Sequence, residues 1–211
     1  YRISTESKVL DVGCNYGYFA GHLQQQDYKH VSGTDISKEA IEYGMQQGIR
    51  NLSTSTAEKL PHNDGEFDAT MALDVIEHIE NEKAALAEIA RVTKPGGVFI
   101  AMVPAYMWLW SLQDDVAKHF RRYTRKTLAE SMSDSGFEVV RMTYFNTFLF
   151  PPILIIKKLE RWMKTNRSSD FELNNRFTNT ILKFIFGLER PFLRFMNFPF
   201  GISILMVARK K

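Results

Sequence analysis

Short runs of strand-forming residues alternate with helix-like segments along most of the chain. The predicted strands are rich in apolar residues and fall at residues 9–12, 30–36, 52–55, 66–73, 98–103, 137–144 and 202–208. Between them, helical spacing of apolar residues or an N-cap residue predicts helices at residues 18–26, 37–48, 81–93 and 125–136. Apolar strands that alternate with helices are typical of a sheet covered on both faces, so the pattern predicts an α/β domain.

The turn after the first predicted strand carries residues suited to ligand binding. Gly13 and Gly17 let the backbone approach a ligand closely, and the unpaired N–H groups at the start of the next helix favour an electronegative guest. Tight strand-to-helix turns also carry glycine for steric reasons alone. Taken by itself, the turn leaves both interpretations open.

An acidic residue, Asp35, ends the second predicted strand about twenty residues after the glycine turn. Nucleotide-binding α/β folds place a carboxylate at this spacing to accept hydrogen bonds from ribose hydroxyls. The alternative is that Asp35 only caps the helix that begins after Ser37. The spacing favours ribose binding.

With these residues in place, the chain resembles the class I S-adenosylmethionine-dependent methyltransferases. The resemblance rests on VLDVGCNYGYFAGHL, GTDIS, AEKLPHNDGEFD and ALDVIEHI, followed by LAEIARVTKPGGVFIAMVP, and it covers residues 8–146 and 201–210. Two positions depart from the family pattern. Asn15 replaces the second glycine of the turn, but asparagine tolerates a left-handed backbone well. Thr56 stands where the family often has Asp, and its hydroxyl can still accept a hydrogen bond from an adenine amino group.

The resemblance implies a Rossmann-like three-layer α/β sandwich. Its mostly parallel seven-stranded sheet would end in an antiparallel last strand, with a helical insertion between the sixth and seventh strands. Residues 1–146 would form the cofactor-binding core, residues 147–200 the insertion, and residues 201–211 the final strand of the core.

The resemblance also implies S-adenosyl-L-methionine as the cofactor. Twelve residues at or near the carboxyl ends of the first four strands are the expected cofactor-binding set: Asp11, Gly13, Cys14, Asn15, Gly17, Asp35, Ile36, Thr56, Ala57, Glu58, Ala72 and Leu73.

The segment after the fifth strand, residues 105–124, lies over the site in this architecture and is expected to shape the acceptor pocket. Trp108 and Trp110 with the pair Arg121 and Arg122 suggest an apolar acceptor that carries an anionic or polar group. The equally weighted alternative is a packed lid, with the tryptophans in the core and the arginines paired to Asp114 and Asp115.

Methyl transfer to oxygen or carbon also needs a base. His119 is the first candidate because imidazole titrates near neutrality, followed by His78 and Tyr123. A structural His119 bonded to a carboxylate is at least as consistent with the sequence. Asp74, Glu77 and His78 lie close together after the fourth strand, but such residues are also common at helix starts, and we expect no metal site.

The insertion of residues 147–200 is the most informative stretch about partners. Eleven of the sixteen phenylalanines lie between Phe145 and Phe200, and residues 147–200 hold nine Lys or Arg against four Asp or Glu. Aromatic residues mixed with basic ones predict amphipathic helices, at residues 148–164 and 177–188, that pack on the core, form a homodimer or lie on an anionic membrane surface. Packing or dimerisation is the favoured interpretation, and the apolar run is too short for a transmembrane span.

Composition narrows the function further. Residues 1–146 hold 15 Lys or Arg against 20 Asp or Glu, so no broad basic face is expected and a nucleic-acid partner is disfavoured. The single cysteine, Cys14, excludes an intrachain disulfide and fits a reducing compartment, so we expect a cytoplasmic protein, with peripheral membrane contact left open.

The sequence therefore predicts a methyltransferase that acts on a small-molecule or lipid-like acceptor, with O- or C-methylation favoured. Two other functions stay open. A nicotinamide-dinucleotide oxidoreductase shares the fold motifs, but the glycines here, at 13, 17 and 21, lack the GxGxxG spacing. A catalytically silent nucleotide-binding module would account for Asn15 and Thr56.

Overall fold

The computed structural model describes residues 3–163, 185, 187–189 and 191–211. Seven strands of this part form one sheet in the order β3-β2-β1-β4-β5-β7-β6. The strands are β1 (Lys8–Val12), β2 (His30–Asp35), β3 (Leu52–Thr54), β4 (Phe67–Leu73), β5 (Thr93–Pro104), β6 (Phe137–Phe145) and β7 (Ser203–Lys210).

The first five strands are parallel, and β7 runs antiparallel between β5 and β6. The predicted fold class, with its antiparallel last strand, is therefore confirmed. β5 begins earlier than the predicted residue 98, because a register shift opposite Phe67 and Ala69 lets residues 93–97 join the sheet before the regular pairing starts.

Helices cover both faces of the sheet. They are α1 (Tyr18–Gln25), α2 (Lys38–Gln46), α3 (Glu82–Val92), α4 (Leu112–Val116), α5 (Arg125–Met132) and α6 (Phe150–Met163). One apolar core contains Ala20 of α1 and Ile41 of α2, and the other contains Leu86 of α3 and Leu128 of α5. The three predicted layers are thus present.

Local side-chain chemistry explains where the helices begin. The hydroxyl of Ser37 accepts from the Ala40 amide at 3.1 Å, and the Thr124 hydroxyl accepts from the Thr127 amide at 3.2 Å. Both residues stand at the starts of predicted helices, where a side-chain oxygen satisfies one of the unpaired amides of the first helical turn.

The insertion is described only in part. α6 corresponds to the predicted first amphipathic helix, whereas most of the second, residues 177–188, lies outside the described residues. Within the part of the chain that is described, no helix is long and apolar enough to span a bilayer. Packing, dimerisation and membrane contact of residues 147–200 all stay predictions.

The order of the strands fixes where a ligand can bind. After β1 the chain moves to β2 and β3 on one side, and it then crosses to β4 and β5 on the other. Loops therefore diverge at the carboxyl ends of β1 and β4 and leave a crevice, which is where open α/β sheets bind their ligands.

Candidate functional site

A cleft of about 500 Å³ opens at this crevice. Its size is within the range of roughly 300–1,000 Å³ that is usual for small-molecule sites. It is lined by residues at or after the carboxyl ends of β1, β2, β3 and β4, together with one residue from the loop after α4: Val12, Gly13, Asn15, Thr34, Asp35, Ile36, Ser55, Thr56, Ala57, Glu58, Asp74, Val75, His78, Ile79, Glu80 and Phe120.

The turn after β1 needs an unusual backbone. Gly13 has φ +72°, and a Cβ built on it would stand 2.5 Å from Cγ2 of Val75, which is closer than real side chains approach. Asn15 has φ +51°, so it adopts the left-handed conformation that was expected to let it replace glycine. Both residues bring backbone to the surface of the cleft without a bulky side chain in between.

Asp35 ties this turn to the next strand. Its Oδ2 accepts from the amide of Asn15 at 2.7 Å, and its Oδ1 accepts from the amide of Ser37 at 2.9 Å. A carboxylate offers about four lone-pair positions, so the two oxygens can still accept hydroxyl donors from the cleft. Asp35 therefore anchors the loops and also presents its carboxylate to the cleft, so the two interpretations of this residue, helix capping and ribose binding, are compatible.

The wall formed by residues 55–58 carries the clearest sign that a polar ligand fits. The Oγ of Ser55 is inaccessible to solvent, and it has no hydrogen-bond partner among the described residues although Ser55 lines the cleft. Buried hydroxyls are normally paired, so an unpaired one at a pocket wall suits a ligand atom. Thr56 and Ala57, expected at the adenine, flank the same wall, and the residues present fit S-adenosylmethionine.

Seven of the twelve expected cofactor residues line the cleft, namely Gly13, Asn15, Asp35, Ile36, Thr56, Ala57 and Glu58. Five do not. Asp11 and Ala72 are buried within their strands, Leu73 packs with the core beside α1 and α2, Gly17 packs against Leu52, and Cys14 faces Gly33. Four of these side chains pack in or against the core and Gly17 has none, so contact of these five residues with the cofactor stays a prediction.

Asp11 nevertheless shapes the electrostatics below the turn. Burial, together with the nearby Asp35 charge, raises its pKa to about 7. Burial, together with the nearby Asp11 and Asp35, raises the pKa of the Cys14 thiol to about 12. The thiol is therefore protonated near neutrality, and Cys14 serves as a packing residue.

Sequence reasoning missed Ser55, Asp74 and Val75 as lining residues. Asp74 and Val75 follow Leu73 directly, and Asp74 has φ +54°, which turns the chain out of β4. Burial raises the pKa of Asp74, and the neighbouring His119 opposes this rise. The available signal was position: Asp74 and Val75 lie just past the end of β4, at the edge of the sheet where ligands bind.

Glu77, His78 and His119 meet at one end of the cleft. The rings of His78 and His119 lie edge to face with centroids 4.5 Å apart, and one ligating atom from each of the three residues lies within 4.8 Å of the others. Glu77 is fully buried, and burial raises its pKa to about 8. Burial and the neighbouring His119 lower the pKa of His78.

His119 is held by a buried carboxylate. Its Nδ1 lies 2.8 Å from Oδ1 of Asp114, and Arg122 donates to both Asp114 oxygens at 2.7 and 3.0 Å. Burial opposes ionisation of Asp114, but the hydrogen bonds from Arg122 and the Ser111 amide outweigh it, and the pKa of Asp114 is lowered. An ionised Asp114 makes Nδ1 of His119 the donor and leaves Nε2 with its lone pair.

The other expected catalytic and acceptor residues lie elsewhere. Tyr123 is buried and its hydroxyl donates to Glu82, and burial with this hydrogen bond raises its pKa, so it does not suit the role of base. Arg121 pairs with Glu82 at 3.0 Å, and Arg122 pairs with Asp114, so both guanidinium groups already have carboxylate partners.

The two tryptophans divide between the predicted roles. Trp110 donates to Asp115 at 2.9 Å, which fits the packed-lid interpretation. Trp108 is partly exposed and packs with Tyr106 and Phe150, at ring-centroid distances of 5.4 and 5.9 Å. Tyr106 also stacks on Tyr144 at 5.2 Å, so an aromatic surface follows β5 at the ligand edge of the sheet.

Comparison with known proteins agrees with this geometry. Residues 10–101 match a family model described as a methyltransferase domain. The chain is 32% identical over 96 residues to the O-methyltransferase rstn1 of Aspergillus nomiae, covering 42% of this chain and 43% of that protein. It is also 32% identical over 105 residues to a ubiquinone biosynthesis O-methyltransferase of Rickettsia bellii, covering 47% of this chain and 43% of the relative.

A solved structure extends the likeness beyond the matched segment. The geranyl diphosphate methyltransferase in complex with S-adenosylmethionine superposes with a TM-score of 0.65 at 15% identity, over 99% of this chain and 80% of that one. The resemblance is therefore confirmed: the chain has the motifs and fold of the class I S-adenosylmethionine-dependent methyltransferases, and S-adenosyl-L-methionine is supported as its cofactor. Neither the oxidoreductase nor the silent module finds support in these matches.

The curated relatives are longer than the matched region. The alignments cover less than half of each of them, and the family model matches residues 10–101, which carry most of the residues that line the cofactor cleft. The similarity therefore bears on the cofactor half of the site more strongly than on the acceptor half.

Proposed function

We propose that this protein transfers a methyl group from S-adenosyl-L-methionine to an oxygen or carbon atom of a small-molecule or lipid-like acceptor. The observation that carries the proposal is the cleft at the carboxyl ends of β1 and β2. There Asp35 fixes the turn at Asn15, and Ser55, whose buried hydroxyl has no hydrogen-bond partner among the described residues, lines the same ligand-sized space.

The residues of the cleft would hold the cofactor by distinct means. The carboxylate of Asp35 would accept from ribose hydroxyls, Thr56 and Ala57 would border the adenine, and the backbone at Gly13 would approach the remainder closely. S-adenosylmethionine supplies a methyl group already activated by its sulfonium. The protein therefore acts chiefly by positioning the acceptor, which contributes about 7–11 kcal/mol in well-aligned reactions.

The acceptor end of the cleft would be the region of His78 and His119. Asp114 fixes His119 so that the Nε2 lone pair is available, and His78, which lines the cleft, lies against the His119 ring. This arrangement can take a proton from an acceptor hydroxyl, a contribution of typically about 10²–10⁴-fold in rate. Among the three candidates for a base, His119 keeps the strongest support and Tyr123 the weakest.

Two features support an apolar or lipid-like acceptor. Tyr106 and Trp108 follow β5 and lie against Phe150, which begins α6 within the Phe-rich insertion. The relatives named above include an enzyme of ubiquinone biosynthesis and a structure of a geranyl diphosphate methyltransferase. Because a fold does not determine its acceptor, these features favour a class of acceptor and not a particular compound.

Calorimetric titration with S-adenosylmethionine, S-adenosylhomocysteine and NADH tests the cofactor. We expect binding of the first two and none of NADH. Transfer of a labelled methyl group to the lipid-soluble fraction of a cell extract then tests the activity. Binding of NADH without any response to S-adenosylmethionine would overturn the proposal, and cofactor binding without transfer to any fraction would favour the silent module.

A further inference from the structure

Three side chains that can ligate a metal ion come together beside the cofactor cleft. Glu77 and His78 belong to the short helical segment Ile76–His78 after β4, whereas His119 comes from the loop after α4. One ligating atom from each residue lies within 4.8 Å of the other two. Two separate parts of the chain therefore converge on one point.

Glu77 shows that this convergence is more than a chance meeting of polar groups. Its side chain is fully buried, and neither carboxylate oxygen has a hydrogen-bond partner among the described residues. Its own backbone amide lies near enough to favour the ionised form, but without hydrogen-bond geometry. Buried carboxylates in proteins are paired or coordinate a metal, because an isolated one is costly to bury.

The two imidazoles are oriented as metal ligands usually are. A metal-bound histidine donates its second ring N–H to a carboxylate or a backbone carbonyl, which fixes the ring. His119 has Asp114 at 2.8 Å in this role, and the backbone of Ala117 lies close enough to the His78 ring to favour its protonated form, without hydrogen-bond geometry. Asp114 is itself fixed by Arg122 and by the amide of Ser111 at 2.8 Å.

We propose that Glu77, His78 and His119 bind one divalent transition-metal ion at the edge of the cofactor cleft. Two imidazoles and one carboxylate suit Zn²⁺, whose bonds to such ligands are about 2.0–2.2 Å long and leave further positions open at catalytic sites. Tetrahedral binding needs the ligand atoms roughly 3.3 Å apart, so atoms that now lie within 4.8 Å of one another would close by up to about 1.5 Å.

The open positions of the ion would face the cleft, because His78 lines it. There the ion would hold an oxygen atom of the acceptor, a role that rests on the proposed function. With the ion bound, the ring nitrogens are ligands and not bases. This inference departs from the expectation of no metal site, which was based on Asp74, Glu77 and His78 alone and lacked His119.

The test uses the full chain, stripped with a chelator and titrated with Co²⁺, which takes the place of Zn²⁺ and absorbs visible light when ligated. We expect one Co²⁺ per chain, displaced by Zn²⁺. Glu77→Gln and His119→Gln should each weaken binding at least tenfold. Asp114→Asn should weaken it about 10- to 100-fold, since it removes only an orienting partner. His30→Gln, at an exposed histidine, is the matched control and should bind as the parent does.

Circular dichroism checks that each variant is folded, and His119→Gln, at a half-buried position, keeps the test valid if Glu77→Gln does not fold. Absence of a Co²⁺ band in the parent, unchanged binding by the two ligand variants, or equal loss in His30→Gln would each overturn the inference. Calorimetry with S-adenosylmethionine in the presence of chelator is a separate readout, so failure of cofactor binding and failure of metal binding can be told apart.

Discussion

Gly13 offers a direct test of how the turn after β1 is built. A methyl group at position 13 would lie 2.5 and 2.7 Å from the two γ carbons of Val75 and 3.2 Å from its Cβ. Holding a non-glycine residue at φ +72° costs roughly 1–2 kcal/mol, and overpacking of this kind costs typically about 1–3 kcal/mol. Gly13→Ala should therefore lower the free energy of unfolding by about 2–5 kcal/mol.

The two contributions can be separated with Val75→Ala. That change removes both γ carbons and leaves only the 3.2 Å contact, which a small shift relieves. In the Val75→Ala background, Gly13→Ala should cost only the backbone part, about 1–2 kcal/mol. Urea unfolding of the four proteins gives the coupling free energy directly.

Equal cost of Gly13→Ala in both backgrounds would refute the steric argument. A loss below about 1 kcal/mol in the parent would refute the backbone argument as well. Gly48→Ala is the matched control, because Gly48 also has positive φ but has no atom within 4 Å of the added Cβ, so its loss should not depend on residue 75.

Two further predictions concern charge. The pKa of Asp11 is about 7 in the folded protein and near 3.8 in the unfolded chain, so the free energy of unfolding should fall as pH rises from about 4 to 7, by at most about 4 kcal/mol. Asp11→Asn should flatten this pH dependence in urea unfolding without cofactor. An unchanged pH dependence in Asp11→Asn would contradict the prediction. Arg91 donates to Glu88 and to Asp64 at 2.6–2.8 Å, and because the network is partly exposed, Arg91→Ala should cost about 1–2 kcal/mol. The control Lys38→Ala removes an exposed ion pair and should change the free energy of unfolding by less than about 0.5 kcal/mol. Equal losses in Arg91→Ala and Lys38→Ala would contradict the prediction.

Much of the fold could be predicted because its signals are local. Ser37 and Thr124 cap helices through their own hydroxyls, and Asn15 takes the left-handed conformation that its short polar side chain permits. The position of Asp35 likewise followed from spacing along two consecutive strands. In each case the residue and its partner lie close together in the sequence or share a regular element.

The acceptor side depends on contacts that no local pattern carries. Glu77 and His119 meet because the loop after α4 folds back over the end of β4, and Arg121 reaches across to Glu82. The structural role of Tyr123 likewise depends on a distant contact, because its hydroxyl donates to Glu82 of α3. Ala72 is fully buried within β4, whereas Asp74 and Val75, which follow the strand, line the crevice.

Calorimetric measurement of S-adenosylhomocysteine affinity in Asp35→Asn tests the account most directly. The side-chain amide of Asn at position 35 must turn its NH₂ group toward the backbone N–H of Asn15 or Ser37, which cannot accept a hydrogen bond. The substitution also removes the negative charge that is offered to ribose hydroxyls. Hydrogen bonds to charged groups contribute about 1.5–3 kcal/mol, so we predict affinity about 10- to 100-fold weaker than that of the parent. Asp134→Asn, an exposed control, should bind as the parent does. Equal affinity for the parent and Asp35→Asn would contradict the claim that this carboxylate holds the cofactor.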